Sequence, residues 1–283
     1  METVIVPLHR RGHFALACLT RLYTAARDDD TLTFHLAIDA NPTREVVHVA
    51  RQFVQKVGDH RAVIVQRDRT FRGNSFNVLT AYAEVVDSGA EVIHLVEEDI
   101  LVGKDYFDYH RQVRAADPTV FAVCACRNQF WPLGTNPPAE EDAYYLQTCY
   151  QSIGISFTPD MLRHVTGHNI RNFCINPSGY LHRFFPDSKL GTQYAEQDGL
   201  IYRIVEALDT HVAFPCVPRA YHAGFTGYNR AGTTLPGTLE DQARRILAMN
   251  GDELNAASRS YRDYETVDLD ADRKPVFRAL SWF

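Results

Sequence analysis

Two hydrophobic rhythms alternate along the first third of this 283-residue chain. Apolar runs at Thr3 to Pro7, Leu32 to Ile38, Ala62 to Val65 and Val92 to Val96 fit short buried strands. Between them, three groups recur at helical spacing: Phe14, Cys18, Leu19 and Leu22; Val46, Ala50, Phe53 and Val57; and Phe76, Leu79, Ala83 and Val86. Pro42 stands where the second helix can begin, and Gly89 stands where the third stops. Uninterrupted apolar strands separated by amphipathic helices predict a parallel sheet covered on both faces.

The second half is less regular. Strands are expected at Val120 to Cys126, Tyr150 to Thr158 and His211 to Val217, and helices at Pro159 to Val165, Glu196 to Leu208 and Leu239 to Met249. Phe130 to Ala143 is a loop rich in proline and acid, and the stretch beyond Gly251 is polar. The expected fold class is α/β, a doubly wound and mostly parallel sheet with a mixed C-terminal half. Residues 1–230 form one domain in this reading, with halves at about 1–110 and 111–230. Residues 231–283 form a C-terminal extension that either folds over the site as a lid or remains mobile.

Composition narrows the function. A hydrophobic content of 45% supports a large core, and a net charge of -6 argues against a general polyanion binder. Basic residues still cluster locally, at His9-Arg10-Arg11 and at Arg67, Arg69 and Arg72. Met1-Glu2-Thr3 leads straight into the first apolar run without a signal-peptide pattern. No apolar run reaches the length of a membrane span, so the expected location is cytoplasmic. Six cysteines are irregularly spaced, and Cys124-Ala-Cys126 alternates inside an apolar run, as small buried thiols do.

Open α/β sheets bind ligands beyond the carboxyl ends of their strands. In this chain those ends carry Pro7-Leu8-His9-Arg10, Asp39-Ala40-Asn41, Gln66-Arg67-Asp68 and Glu97-Glu98-Asp99. Three successive carboxylates against a buried strand repel one another. A hard cation relieves that repulsion, and Mg2+ or Mn2+ takes one or two carboxylates together with substrate phosphates. The other reading is a solvated acidic turn opening the helix that contains Phe107, since acids favour helix starts.

The stretch Val92-Ile93-His94-Leu95-Val96-Glu97-Glu98-Asp99-Ile100, followed by Asp105-Tyr106-Phe107-Asp108-Tyr109, resembles the metal-binding segment of GT-A glycosyltransferases, especially the N-acetylglucosaminyltransferase I type. The resemblance covers roughly residues 3 to 110, is looser to about 230 and is absent in the tail. It implies that residues 1–110 bind the nucleotide and residues 111–230 the acceptor. It also implies that Asp99 ligates Mn2+ or Mg2+, that Glu97 reaches the ribose, and that Asp39 holds the base or ribose. Pro7 lies in the strand where that fold reads the nucleotide, and His9, Arg10 and Arg72 lie within reach of base or phosphate. Glu98 belongs to the same acidic group, although the family commonly shows Asp-x-Asp or Glu-Asp-Asp where this chain has Glu-Glu-Asp.

Such enzymes commonly take a base from an acid at the start of a late helix. Asp198 is the candidate and Glu196 the second choice; both also suit an ordinary helix start. His222 is the candidate second metal ligand, with Tyr228 and Arg230 over the diphosphate. The implied reaction transfers a sugar from a nucleoside diphosphate sugar, UDP-linked by preference, to an acceptor hydroxyl, with inversion if Asp198 is the base. Two alternatives stand beside it: a nucleotidyltransferase on the same fold, and a non-catalytic nucleotide-sugar-binding protein. The loop after the first strand holds only one glycine, Gly12, which weighs against the former. The acceptor is open among glycan, small molecule, protein and modified DNA. Phe130, Trp131, Tyr144 and Tyr145 are aromatics that stack on a sugar or base, or pack in the core.

Overall fold

The structure is a computed structural model. It describes the chain except residues 69–72, 128–142, 192–193, 225, 228–229, 232–234, 252, 255–275 and 280–283, and gives the backbone alone at 226–227, 230–231 and 276–279.

The N-terminal half follows the predicted alternation. It runs β1 (Glu2–Leu8), α1 (Gly12–Ala25), β2 (Leu32–Ile38), α2 (Arg44–Val57), β3 (Ala62–Gln66), α3 (Asn74–Val85) and β4 (Val92–Leu95). The strands lie in the order β3-β2-β1-β4, all parallel. Side chains alternate across a strand, so Val4, Val6 and Leu8 join a core with α1 and α2, whereas Ile5 joins a core with Val78, Leu79 and Tyr82 of α3 on the opposite face. That alternation is the physical basis of the doubly wound half. α2 starts two residues after Pro42, because the Thr43 side chain accepts the Val46 amide and caps the helix.

A short strand β5 (Ile100–Val102) separates the acidic triplet from α4 (Tyr106–Ala116), so the triplet occupies a turn and does not open the helix. Next come β6 (Ala122–Cys124), β7 (Ala143–Gln147), β8 (Ile155–Phe157), α5 (Pro159–Thr166), α6 (Ile170–Ile175), α7 (Pro177–Phe184), α8 (Gln197–Ala207) and β9 (Val212–Pro215). The nine-stranded sheet reads β13-β7-β9-β6-β8-β4-β1-β2-β3, where β13 is Val276–Ala279. β8 runs antiparallel between β4 and β6, while β6 and β9 are parallel, so the C-terminal half is mixed. The strand expected at Tyr150 to Thr158 shortens to its last residues, because Gly154 adopts a positive φ of 61° and turns the chain before β8.

The remaining elements are β10 (Ala220–His222), two-residue strands β11 (Thr226–Gly227) and β12 (Arg230–Ala231), and α9 (Leu239–Ala248). α9 packs on α1, with Ala243 and Ile246 buried against Phe14 and Ala17. β13 pairs antiparallel with β7 at the sheet edge, so these two parts of the C-terminal stretch are built onto the domain. All six cysteines are free, with Cys124 and Cys126 buried in and just after β6. No described helix is long and apolar enough to cross a membrane.

Candidate active site

Three carboxylates meet where the two halves of the sheet join. β4 delivers Glu97, Glu98 and Asp99 into the turn before β5. β10 pairs antiparallel with β5 and sets His222 opposite Ile100, beside Asp99. The start of α8 is docked on the start of α3: the Ser75 hydroxyl donates to Gln197 Oε1 at 2.7 Å and accepts the Gln197 amide at 3.1 Å. That clasp brings Asp198 toward the triplet. Gly199 is required next to it, since a Cβ there would strike the Tyr194 carbonyl.

Asp99 is 5% exposed. Its Oδ2 receives Arg11 Nη1 at 2.7 Å and faces His222 Nε2 at 3.4 Å, while its Oδ1 is buried with no partner. Gly224 closes over the same carboxylate so tightly that a Cβ would collide with Oδ2. Glu97 Oε1 and Asp198 Oδ1 are likewise buried without partners, and the Ser152 hydroxyl donates to Asp198 Oδ2 at 3.2 Å. Buried polar atoms are rarely left unpaired. Three carboxylates near enough to perturb one another, each with an orphaned oxygen, therefore mark a site built for something beyond the fold.

The charges are strongly perturbed. Burial pushes the Asp198 carboxyl up to about 7, with the Ser152 hydrogen bond opposing and Glu196 adding repulsion. Burial, then the charges of Asp99 and Asp198, push Glu97 up. Burial acts the same way on Asp99, but Arg11 and His222 outweigh it and hold that carboxyl well below the usual range. Neighbouring acids are thus driven apart in acidity, one fixed as an anion and one poised near neutrality, a pattern that clusters at functional sites.

The other sequence-predicted residues fall at different distances from this centre. Glu98 is committed to protein groups, its Oε1 to Arg11 Nε at 2.7 Å and its Oε2 to the His9 amide at 2.9 Å. Asp39 accepts the Ala40 amide at 2.7 Å and the Gly73 amide at 3.0 Å, which fixes the turn after β2 and the entry to α3. Pro7 is buried within β1 opposite Ala37. Beyond it His9 is half-buried and Arg10 exposed, its Nε donating to the Asn41 carbonyl at 3.2 Å. Glu196 is exposed immediately before α8. Arg72 and Tyr228 lie outside the described residues, as does the side chain of Arg230.

Arg67 of the basic cluster and the aromatics Tyr144 and Tyr145 are held inside the fold. Arg67 makes a bidentate pair with Glu84 and donates to Asn77 at 2.9 Å, so it braces β3 against α3. Tyr144 and Tyr145 are fully buried in β7 and belong to the core, while Phe130 and Trp131 lie outside the described residues. Sequence reasoning gave Arg11 and Gly224 no role in the site, and read Ser152 only as part of the segment Ser152 to Phe157, which resembles the strand that frames sugar and acceptor in GT-A enzymes. The available signal was that two buried carboxylates in succession demand a nearby cation.

A divalent ion fits this arrangement. Among the described residues no three His, Cys, Asp or Glu side chains converge as a metal cage. A hard ion of the Mg2+ or Mn2+ kind needs no cage, because phosphate oxygens and water complete its shell. Asp99, with one oxygen unpartnered and His222 beside the other, would supply the protein share.

No family model and no curated protein matches the sequence. Solved structures do match. The galactosyltransferase LgtC, in complex with donor and acceptor sugar analogues, aligns at a TM-score of 0.51 with 11% identity, covering 92% of this chain and 96% of that one. TarS residues 1–349 from S. aureus align at 0.51 with 8% identity, covering 92% and 69%. A mannosyltransferase from Pyrobaculum calidifontis, in complex with GDP-Man and Mn2+, aligns at 0.47 with 17% identity over 77% of this chain. The chain spans 57% of that enzyme's length. The fold is the GT-A type these glycosyltransferases share, and at such identities the likeness speaks for the fold alone.

Proposed function

We propose that this chain is a metal-dependent glycosyltransferase that moves a sugar from a nucleoside diphosphate sugar, UDP-linked by preference, to an acceptor hydroxyl with inversion. The observation that carries the reading is the grouping of Glu97, Asp99 and Asp198, close enough for the charges of the latter two to raise Glu97, each with a buried oxygen that has no hydrogen-bond partner. Asp99 and His222 hold the metal, Mn2+ or Mg2+. When bound, the ion neutralises the charge of the departing nucleoside diphosphate.

The protein's own groups supply the remainder. Glu97 accepts a hydroxyl of the donor at its open oxygen, and His9 and Arg10 line the nucleotide side. Asp198 takes the acceptor's proton as the acceptor oxygen bonds to the anomeric carbon. The bond from that carbon to the diphosphate oxygen breaks, and its electron pair leaves with the nucleoside diphosphate. A carboxyl near 7 is suited to this work, because a base is most effective when its acidity is matched to the operating pH. Ser152 aims the Asp198 carboxylate through its hydrogen bond.

A thermal-shift panel of nucleoside diphosphates and nucleotide sugars, with and without Mn2+, tests the donor half of the reading. A metal-dependent rise in Tm with one nucleotide class is expected, since ligands of the folded state stabilise it by mass action. Product analysis then separates transfer from its rival on the same fold. Release of nucleoside diphosphate is expected, whereas pyrophosphate would make the chain a nucleotidyltransferase.

A further inference from the structure

Arg11 holds an unusual position for a residue beside a metal site. Its guanidinium spans two consecutive carboxylates, with Nε 2.7 Å from Glu98 Oε1 and Nη1 2.7 Å from Asp99 Oδ2. Both acids are buried, at 6% and 5% exposure, while the Arg11 side chain keeps 28% of its surface. Arg11 sits between β1 and α1, two residues after His9, whose amide Glu98 also holds. Glu98 is therefore an anchor at two points of this turn, and Asp99 is the only one of the two acids with an open oxygen.

We propose that Arg11 is a built-in counter-ion that competes with the divalent cation for Asp99. The proposal rests on the reading of Asp99 as a metal ligand. The guanidinium neutralises Asp99, which would otherwise be a buried carboxylate with only the His222 ring beside it. A divalent ion bound to Asp99 would stand beside the guanidinium, and two cations on one carboxylate repel each other. Binding the ion therefore requires Nη1 to leave Asp99 Oδ2. Glu98 retains Nε throughout and serves as the pivot. The consequence is weak binding of the ion to the empty site, and occupancy that favours the presence of a polyanionic donor able to receive the released guanidinium.

The test is Mn2+ binding alone, followed by the loss of the free-ion electron paramagnetic resonance signal, in wild type, Arg11→Gln, Arg11→Lys and each of these with Asp99→Asn. The expected result is that Arg11→Gln binds Mn2+ at least tenfold more tightly than wild type, Arg11→Lys restores the weaker affinity, and Asp99→Asn removes the tight binding. A purely structural Arg11 would leave the affinity unchanged or weaken it, and either outcome overturns the proposal while leaving the metal site intact. Mn2+ binding that ignores Asp99→Asn, or no binding in any variant, overturns the site reading and the proposal together. Because Arg11→Gln strips Glu98 of its partner, the double variant Arg11→Gln/Glu98→Gln is measured alongside. It removes that unpaired charge, and its Mn2+ affinity must also exceed that of wild type.

Discussion

Replacing the candidate base is expected to abolish transfer and to stabilise the protein. The Asp198 carboxyl rises from an ordinary value of 3.8 to about 7, mainly because burial disfavours its charge. Between about pH 4 and 7 the folded chain holds this proton more tightly than the unfolded chain, so stability falls as pH rises through that window. Above it, the folded protein carries the full cost of an ionised Asp198. At about 1.4 kcal/mol for each tenfold change in acidity, the ceiling is about 4 kcal/mol. The residue as a whole keeps some solvent exposure, which screens its charge, so about 1–3 kcal/mol is the expected size. Asp198→Asn keeps the shape and can still accept from Ser152, but carries no charge. Urea unfolding at pH 8 should show the variant more stable by about 1–3 kcal/mol, and the gap should shrink to less than half at pH 5. Transfer should be lost while the donor-dependent Tm shift survives. A variant less stable than wild type at pH 8, or a gap that ignores pH, refutes the claim that burial strains this carboxylate. In the wild type, transfer should decline as pH falls below about 7, and a rate flat from pH 5 to 8 removes Asp198 from the role of base.

Other expectations follow from the same geometry. Asp99→Ala should eliminate the Mn2+-dependent part of any donor-induced Tm shift, and a shift of unchanged size would exclude Asp99 as the ligand. Gly224→Ala should weaken metal-dependent donor binding at least tenfold, or about 1.4 kcal/mol, because its methyl group collides with Asp99 Oδ2. Calorimetry with wild-type binding in that variant would place the ion elsewhere. Arg67→Ala should lower stability by about 2–4 kcal/mol in denaturant, by stripping the guanidinium from Asn77 Oδ1 and from the Glu84 carboxylate, while donor affinity is retained. A selective loss of donor affinity would instead give Arg67 a part in donor binding.

Much of the fold was legible because its rules are local. The β1-α1-β2-α2-β3-α3-β4 order follows from apolar runs and helical spacing alone, and strand alternation dictates which side chains meet α1 and α2 and which meet α3. The mixed half was harder to read. β8 spans three residues and its direction is set by neighbours far along the chain, so nothing in Ile155-Ser156-Phe157 announces an antiparallel strand between β4 and β6. β13 is invisible for the same reason, since its partner β7 lies more than a hundred residues earlier.

The candidate site divides along the same line. The sequence by itself determined that Glu97, Glu98 and Asp99 end a buried strand, because an apolar run followed by acids has one reading in a doubly wound sheet. It also determined that Asp198 opens a helix. Only the tertiary structure decided what each acid touches. The β5–β10 pairing sets His222 beside Asp99, and the Ser75–Gln197 clasp carries Asp198 toward Glu97. Glu98 faces Arg11 and the His9 amide, leaving the neighbours on either side with oxygens to spare. Adjacent carboxylates are alike in sequence; burial and the placement of one guanidinium make them different, because charge in a low-dielectric interior is governed by whatever lies within a few ångströms.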